Sequence, residues 1–221
     1  MSSGPRRFDH AVFDLDGTLI DSRADLAAAV NHVLRSFALD ELPPPTLYGY
    51  VGEGARVLVE RALGAEHAEL VDPALHRFMR YYGEHLLDAT RPYSGVVEVL
   101  GALAARGVTL SVLTNKPAAM SRSILDGLGL AVRFVAIVGG DSLPVRKPDP
   151  AGIAHLLHRT NTARERMLLV GDSPIDLRTA RAADVAFCGV AWGLVPDTLA
   201  NCRPERMVAH PAELVDVVEG R

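Results

Sequence analysis

Short apolar runs rich in β-branched residues recur along the chain, at His10–Leu15, Val108–Thr114, Phe134–Val138, Arg166–Val170 and Val185–Val190. Near-continuous runs of this length are what strands covered on both faces look like. Around the last four lie stretches with apolar residues at helical spacing: Gly95–Arg106, Pro117–Leu128, Pro150–Arg159 and Ile175–Ala183. This alternation predicts βαβ units, hence a doubly wound parallel sheet of the α/β class with a Rossmann-like core. The first strand has the same character, yet the next arrives only near Val108. The interval between them is helical in pattern. Ala24–Phe37, Thr46–Leu63 and Ala74–Leu87 carry apolar residues near a 3.6 period, separated at Pro43-Pro44-Pro45, Gly64 and Pro73. An insertion of this kind predicts a small all-helical cap domain, residues 21–91, on a core built from 1–20 and 92–221.

Composition narrows the picture little but excludes several classes. The chain has 221 residues, 48% hydrophobic and 23% charged, enough apolar material for a core that needs no metal or disulfide to hold it. A net charge of −4 and the lack of any long Lys/Arg run speak against a nucleic-acid partner. Cys188 and Cys202 form no CxxC pair and no disulfide framework. Charged residues interrupt every apolar run, so no membrane span is expected. The start, Met1 to Arg7, reads as a short polar tail and not a targeting segment. A soluble cytoplasmic protein, monomer or homodimer, is the expectation.

The chemistry collects at the carboxyl ends of the strands, where ligands bind in open α/β sheets. Asp14-Leu-Asp16-Gly17-Thr18 follows the first, Thr114-Asn115-Lys116 the second, Lys147-Pro-Asp149 the third and Gly171-Asp172-Ser173-Pro-Ile-Asp176 the fourth. On extended backbone, Asp14 and Asp16 would point the same way, and paired carboxylates need a cation or a shared proton. By itself, Asp-x-Asp-Gly is also a common turn. A phosphate dianion nearing three carboxylates meets repulsion on the order of 4 kcal/mol per pair at ~4 Å and an effective dielectric of ~20. An all-oxygen site that offsets this selects Mg²⁺ over zinc. Lys147 is the obvious fixed cation, with Thr114 and Asn115 as neutral donors. A carboxylate is itself a competent nucleophile for phosphoryl transfer.

These four motifs, in this order and with a cap inserted after the first, resemble those of the haloacid dehalogenase superfamily of phosphatases. The resemblance covers essentially the whole chain. It implies that Asp14 is the nucleophile, forming an aspartyl phosphate, and that Asp16 is the general acid and base. It also implies Mg²⁺ held by Asp14, the backbone carbonyl of Asp16 and Asp172, with Asp176 in support beside Gly17 and Thr18. Thr114, Asn115 and Lys147 would hold the phosphoryl oxygens. An aspartate at position 16 matches the phosphatases and mutases of the superfamily, not its dehalogenases. Val51-Gly-Glu-Gly-Ala-Arg56 with Leu58, and Gly139 to Pro150, are similar to the phosphoglycolate phosphatases. The expected substrate is therefore a small phosphorylated metabolite, 2-phosphoglycolate first. A phosphosugar phosphatase or phosphomutase would reuse every motif, and a non-catalytic phosphate- or partner-binding module could keep the fold.

In the cap, the loop Gly52, Glu53, Gly54 to Arg56 is expected to fold over the site, with Arg56 meeting a substrate carboxylate. A solvated helix arginine is the plainer alternative. Other residues have structural explanations. Ser173, Pro174 and Asp176 read as a capping box, Ser22 with Asp25 as another, and Asp149 as a helix cap. Lys116 is expected at the surface. Trp192 is expected to close the far end of the sheet or border the pocket. Asp184, at a helix end that favours glycine, predicts a slightly strained corner.

Overall fold

The computed structural model describes residues 6–194 and 196–221. From the N-terminus, β1 (His10–Phe13) is followed by a two-residue strand, β2 (Ile20–Asp21). Helices α1 (Arg23–Ser36), α2 (Pro44–Tyr48), α3 (Ala55–Leu63) and α4 (Val71–Glu84) come next, and the chain returns through β3 (Arg91–Pro92). Then α5 (Val96–Ala105), β4 (Thr109–Leu113), α6 (Ala118–Gly127), β5 (Ala136–Val138), α7 (Ala151–Thr160), β6 (Met167–Gly171), α8 (Pro174–Ala183) and β7 (Ala186–Val190) alternate. The chain ends with α9 (Pro196–Asn201), β8 (Met207–Val208) and α10 (Leu214–Glu219).

Six strands form one sheet in the order β5-β4-β1-β6-β7-β8, every pairing parallel. β1 lies between β4 and β6, where the strand order reverses, and this places its carboxyl end at the topological switch point. Successive strand residues supply opposite faces. Ala11, Phe13, Leu110, Val112, Leu168 and Val170 join the core under α5, α6 and α10. Val12, Leu113, Met167 and Leu169 join the one under α7, α8 and α9. A period of two in apolar strands, with both phases buried, is the signature of a sheet sandwiched between helices.

The helices α1 to α4 have a core of their own, formed by Val30, Leu34, Leu47, Leu58, Phe78 and Tyr82 among others. β2 and β3 pair antiparallel and form the double crossing between this bundle and the sheet. Asp25 ties the crossing together. Its carboxylate accepts hydrogen bonds from the Thr90 amide (2.8 Å), the Thr90 hydroxyl (2.7 Å) and the Ala89 amide (2.8 Å).

Several elements differ from the sequence reading. The helix expected over Thr46–Leu63 is two helices, because Gly52 and Gly54 take positive φ values of 119° and 94° that no helix accommodates. The first strand stops at Phe13, although the Asp14 amide still donates to the Val170 carbonyl at 2.9 Å, and the turn follows at Gly17 to Leu19. Ser22 and Asp25 make no capping box; Ser22 precedes α1 but its hydroxyl goes elsewhere. The Ser173–Asp176 capping box is formed in full, and Asp149 accepts from the Ala151 amide at 2.9 Å. Asp184 sits in the left-handed region at φ 53°.

Candidate active site

The loop after β1 is tight. The Leu15 carbonyl accepts from the amides of Leu19 and Ile20, and the Gly17 amide donates to the Ile20 carbonyl. Gly17 has φ +88°, and a Cβ there would lie 2.2 Å from Oδ2 of Asp172. Only glycine lets these two loops close on one another. Asp172, at the end of β6, is held by the Thr18 hydroxyl at 3.1 Å and the Leu194 amide at 2.9 Å.

Carboxylate oxygens of Asp14, Asp172 and Asp176 come within 4.8 Å of one another, and all three residues are buried. Lys147 enters this cluster from the loop after β5. Its Nζ lies 2.8 Å from Asp14 Oδ1 and 2.6 Å from Asp176 Oδ1. The other oxygen of Asp176 receives the amide and hydroxyl of Ser173, so one residue caps α8 and anchors the lysine. Burial pushes the Asp14 carboxyl up to about 7, with Asp176 adding to the rise and Lys147 opposing it. Burial, then Asp176 and Asp14, hold the Asp172 carboxyl well above the ordinary range. Burial works against the Lys147 ammonium, but Asp14 and Asp176 outweigh it and raise its pKa. Three buried carboxylates against one lysine leave the cluster short of positive charge. An all-oxygen donor set with that deficit suits a hard divalent cation.

Asp16 faces another way. Its carboxylate accepts from the Ser22 hydroxyl at 2.6 Å and lies 3.1 Å from Nζ of Lys116. Because the strand has already ended, Asp14 and Asp16 diverge, one toward Lys147 and the other toward the helical insertion. Lys116 is only 6% exposed, which corrects the expectation that it serves the surface. The same ammonium donates to the Tyr82 hydroxyl on α4 at 2.8 Å and sits 4.5 Å from that ring's centre. Together Asp16, Lys116 and Tyr82 form the polar side of a pocket whose other walls include Leu26, Val51, Leu58, Phe78 and Met120.

Thr114 and Asn115 leave the end of β4, and both are buried. The Thr114 oxygen accepts from the Lys116 amide at 3.2 Å, which leaves its own proton to donate. Asn115 donates one amide hydrogen to the Gly52 carbonyl (3.0 Å) and the other to the Lys147 carbonyl (3.1 Å), while its Oδ1 is buried without a partner among the described residues. As placed, it is a strut between the sheet loops and the helical insertion, and it meets an oxygen ligand only by giving up one of those bonds. Gly52 and Gly54 line the pocket. Glu53 pairs instead with Arg61. Arg56 turns outward, 2.6 Å from Asp72 and 3.7 Å from Glu60, and its side chain is 47% exposed. Trp192, beyond β7, donates to the Thr18 carbonyl at 3.1 Å and so braces the first loop.

The sequence pattern gives Ser22 a capping role and Lys116 a surface one, and it does not single out Tyr82. Lys116 stands beside Thr114-Asn115, and that adjacency was a usable signal. Tyr82 lies 34 positions from Lys116, and its partnership depends on tertiary packing alone.

The haloacid dehalogenase-like hydrolase model matches residues 11–190, and the chain belongs to that family. Among curated relatives, the phosphoglycolate phosphatase of Agrobacterium fabrum is 37% identical over 208 residues, spanning 92% of this chain and 89% of its own. That of Rhodospirillum rubrum is 41% identical over 198 residues, spanning 86% and 82%. The crystal structure of a predicted phosphoglycolate phosphatase from Haemophilus somnus is similar, with a TM-score of 0.91 at 33% identity over 97% of this chain and 99% of that one.

Proposed function

We propose that this phosphatase hydrolyses 2-phosphoglycolate to glycolate and inorganic phosphate, with Mg²⁺, through a phosphorylated Asp14. The observation that carries the reading is the Asp14 carboxylate 2.8 Å from Lys147 and grouped with Asp172 and Asp176. A fixed ammonium beside a carboxylate is what an anionic nucleophile needs to approach an anionic phosphate. Bound by Asp14, Asp172 and the Asp16 carbonyl, with Asp176 beside them, Mg²⁺ would supply the remaining positive charge.

An oxygen of Asp14 attacks phosphorus and a P–O bond forms, while the bond to the ester oxygen breaks. Asp16 delivers its proton to that departing oxygen, held in position by Ser22 and Lys116. Water then attacks the phosphorylated Asp14, gives a proton to Asp16 and releases phosphate. Lys147 and the Thr114 hydroxyl steady the phosphoryl oxygens through both halves. The substrate choice is supported by the relatives' names.

The test is phosphate release from a panel of small esters with and without Mg²⁺. Asp14→Asn should lower turnover by about 10⁴-fold or more, as loss of a covalent nucleophile does. Wild-type rates in that variant would dismiss covalent catalysis, and a phosphorylated sugar as product would favour a mutase.

A further inference from the structure

The proton for the ester oxygen comes from Asp16, so the atoms beyond that oxygen enter the pocket Asp16 borders. Among the described residues lining it, Lys116 is the sole cation, and the walls opposite are apolar. A substrate carboxylate carried into such surroundings must be paired with a positive charge, because an unpaired buried anion is strongly disfavoured. Arg56, the cap residue proposed for this from sequence, is engaged on the outer surface by Asp72 and Glu60.

Lys116 is placed for the task by contact. Its Nζ is 3.1 Å from Oδ2 of Asp16, and a cation touching the proton donor can serve only a group close to the ester oxygen. In 2-phosphoglycolate a single methylene separates that oxygen from the carboxylate. The ammonium has three N–H donors, and Asp16 and Tyr82 take two. The Tyr82 oxygen accepts from Lys116, so its own proton is still available. Two charge-compatible donors, one from the sheet loop and one from α4, thus converge at the inner end of the pocket.

We propose that Lys116, with the Tyr82 hydroxyl, reads the substrate's carboxylate and selects phosphate esters that carry it on the carbon next to the ester oxygen. This inference rests on the 2-phosphoglycolate reading. It makes the core loop, and not the cap arginine, the specificity element.

The experiment compares kcat/KM for 2-phosphoglycolate and ethyl phosphate, which lacks only the carboxylate's charge and oxygens. Lys116→Met should cut the preference for 2-phosphoglycolate by about 10²-fold, mainly through KM, on top of any loss common to both esters from a less well held Asp16. Lys116→Arg should restore part of that preference. If Lys116→Met does not fold, Tyr82→Phe decides, because it keeps the ring that packs and removes only the hydroxyl. A several-fold fall in preference supports the assignment, and an unchanged preference overturns it. Equal losses on both esters in Lys116→Met would also overturn it, leaving Lys116 as a prop for Asp16. A wild-type enzyme with no preference between the two esters would instead remove the 2-phosphoglycolate reading, and this inference with it.

Discussion

At Gly17 one hydrogen atom in place of a methyl group decides whether two acidic loops can meet. The backbone there is left-handed, and a Cβ would fall 2.2 Å from the Asp172 carboxylate. Gly17→Ala should therefore displace Asp172 and weaken Mg²⁺ activation by about tenfold or more, with backbone strain of about 1–3 kcal/mol in stability. Titrating activity against Mg²⁺, alongside denaturant melts, checks both parts. An unshifted Mg²⁺ requirement would mean that the loops do not cooperate. Asp176 illustrates how one side chain holds two roles. One oxygen closes the α8 capping box and the other anchors Lys147, 2.6 Å away. Both roles are compatible with the sequence, and the structure shows which oxygen serves each.

Among the elements, the double crossing at β2 and β3 carries the relation between the helical insertion and the sheet. Asp25 is its fastener, buried and accepting from Thr90 and Ala89. Asp25→Ala leaves the buried Thr90 amide and hydroxyl without that partner and should cost roughly 2–4 kcal/mol. Faster hydrogen exchange at Ala89 and Thr90 would accompany that loss, and unchanged protection there would show that the crossing is held elsewhere. The sequence had suggested Asp25 as half of a capping box with Ser22, because the spacing allows it. The outcome depended on which partners the return strand brought near, 64 and 65 residues away. Long, periodic elements were legible in the same sequence. β4, β6, α5 and α8 lie within a residue or two of their expected bounds, since each has apolar spacing of its own. β2, β3 and β8 are two residues each and exist through pairing, so no local period announces them. The candidate site divides the same way. Asp14, Thr114, Lys147 and Asp172 stand in recognisable motifs at strand ends, whereas Tyr82 joins only when the helical insertion closes on the sheet, and Ser22 through the short turn that brings it back to Asp16.

For the whole molecule, the sheet both builds the site and sets its stability. At the end of β1 opposite the acidic cluster, His10 is fully buried and pairs with Ser111 at 2.9 Å and Thr160 at 3.1 Å. Burial lowers its pKa from 6.5 to about 4. Between those values the unfolded chain binds a proton that the folded chain does not. Its contribution is therefore intact above the upper value and lost as pH falls toward the lower, by roughly 1.4 kcal/mol per pH unit at the steepest. Denaturant unfolding across that window should show a flatter dependence for His10→Gln than for wild type; identical slopes would mean that His10 titrates alike folded and unfolded. No helix among the described residues is long and apolar enough to cross a membrane. The parallel sheet concentrates its polar ends where β1, β4 and β6 finish, and Asp14, at the first of these, is the proposed acceptor of the phosphoryl group. Acid-quenching the enzyme during turnover of 2-phosphoglycolate with Mg²⁺, then reducing with borohydride, converts a phosphorylated aspartate to homoserine. Peptide mass spectrometry should find homoserine at position 14 and at no other aspartate. Full turnover with position 14 unmodified, or homoserine at Asp16 or Asp172 instead, would rule out Asp14 as the nucleophile.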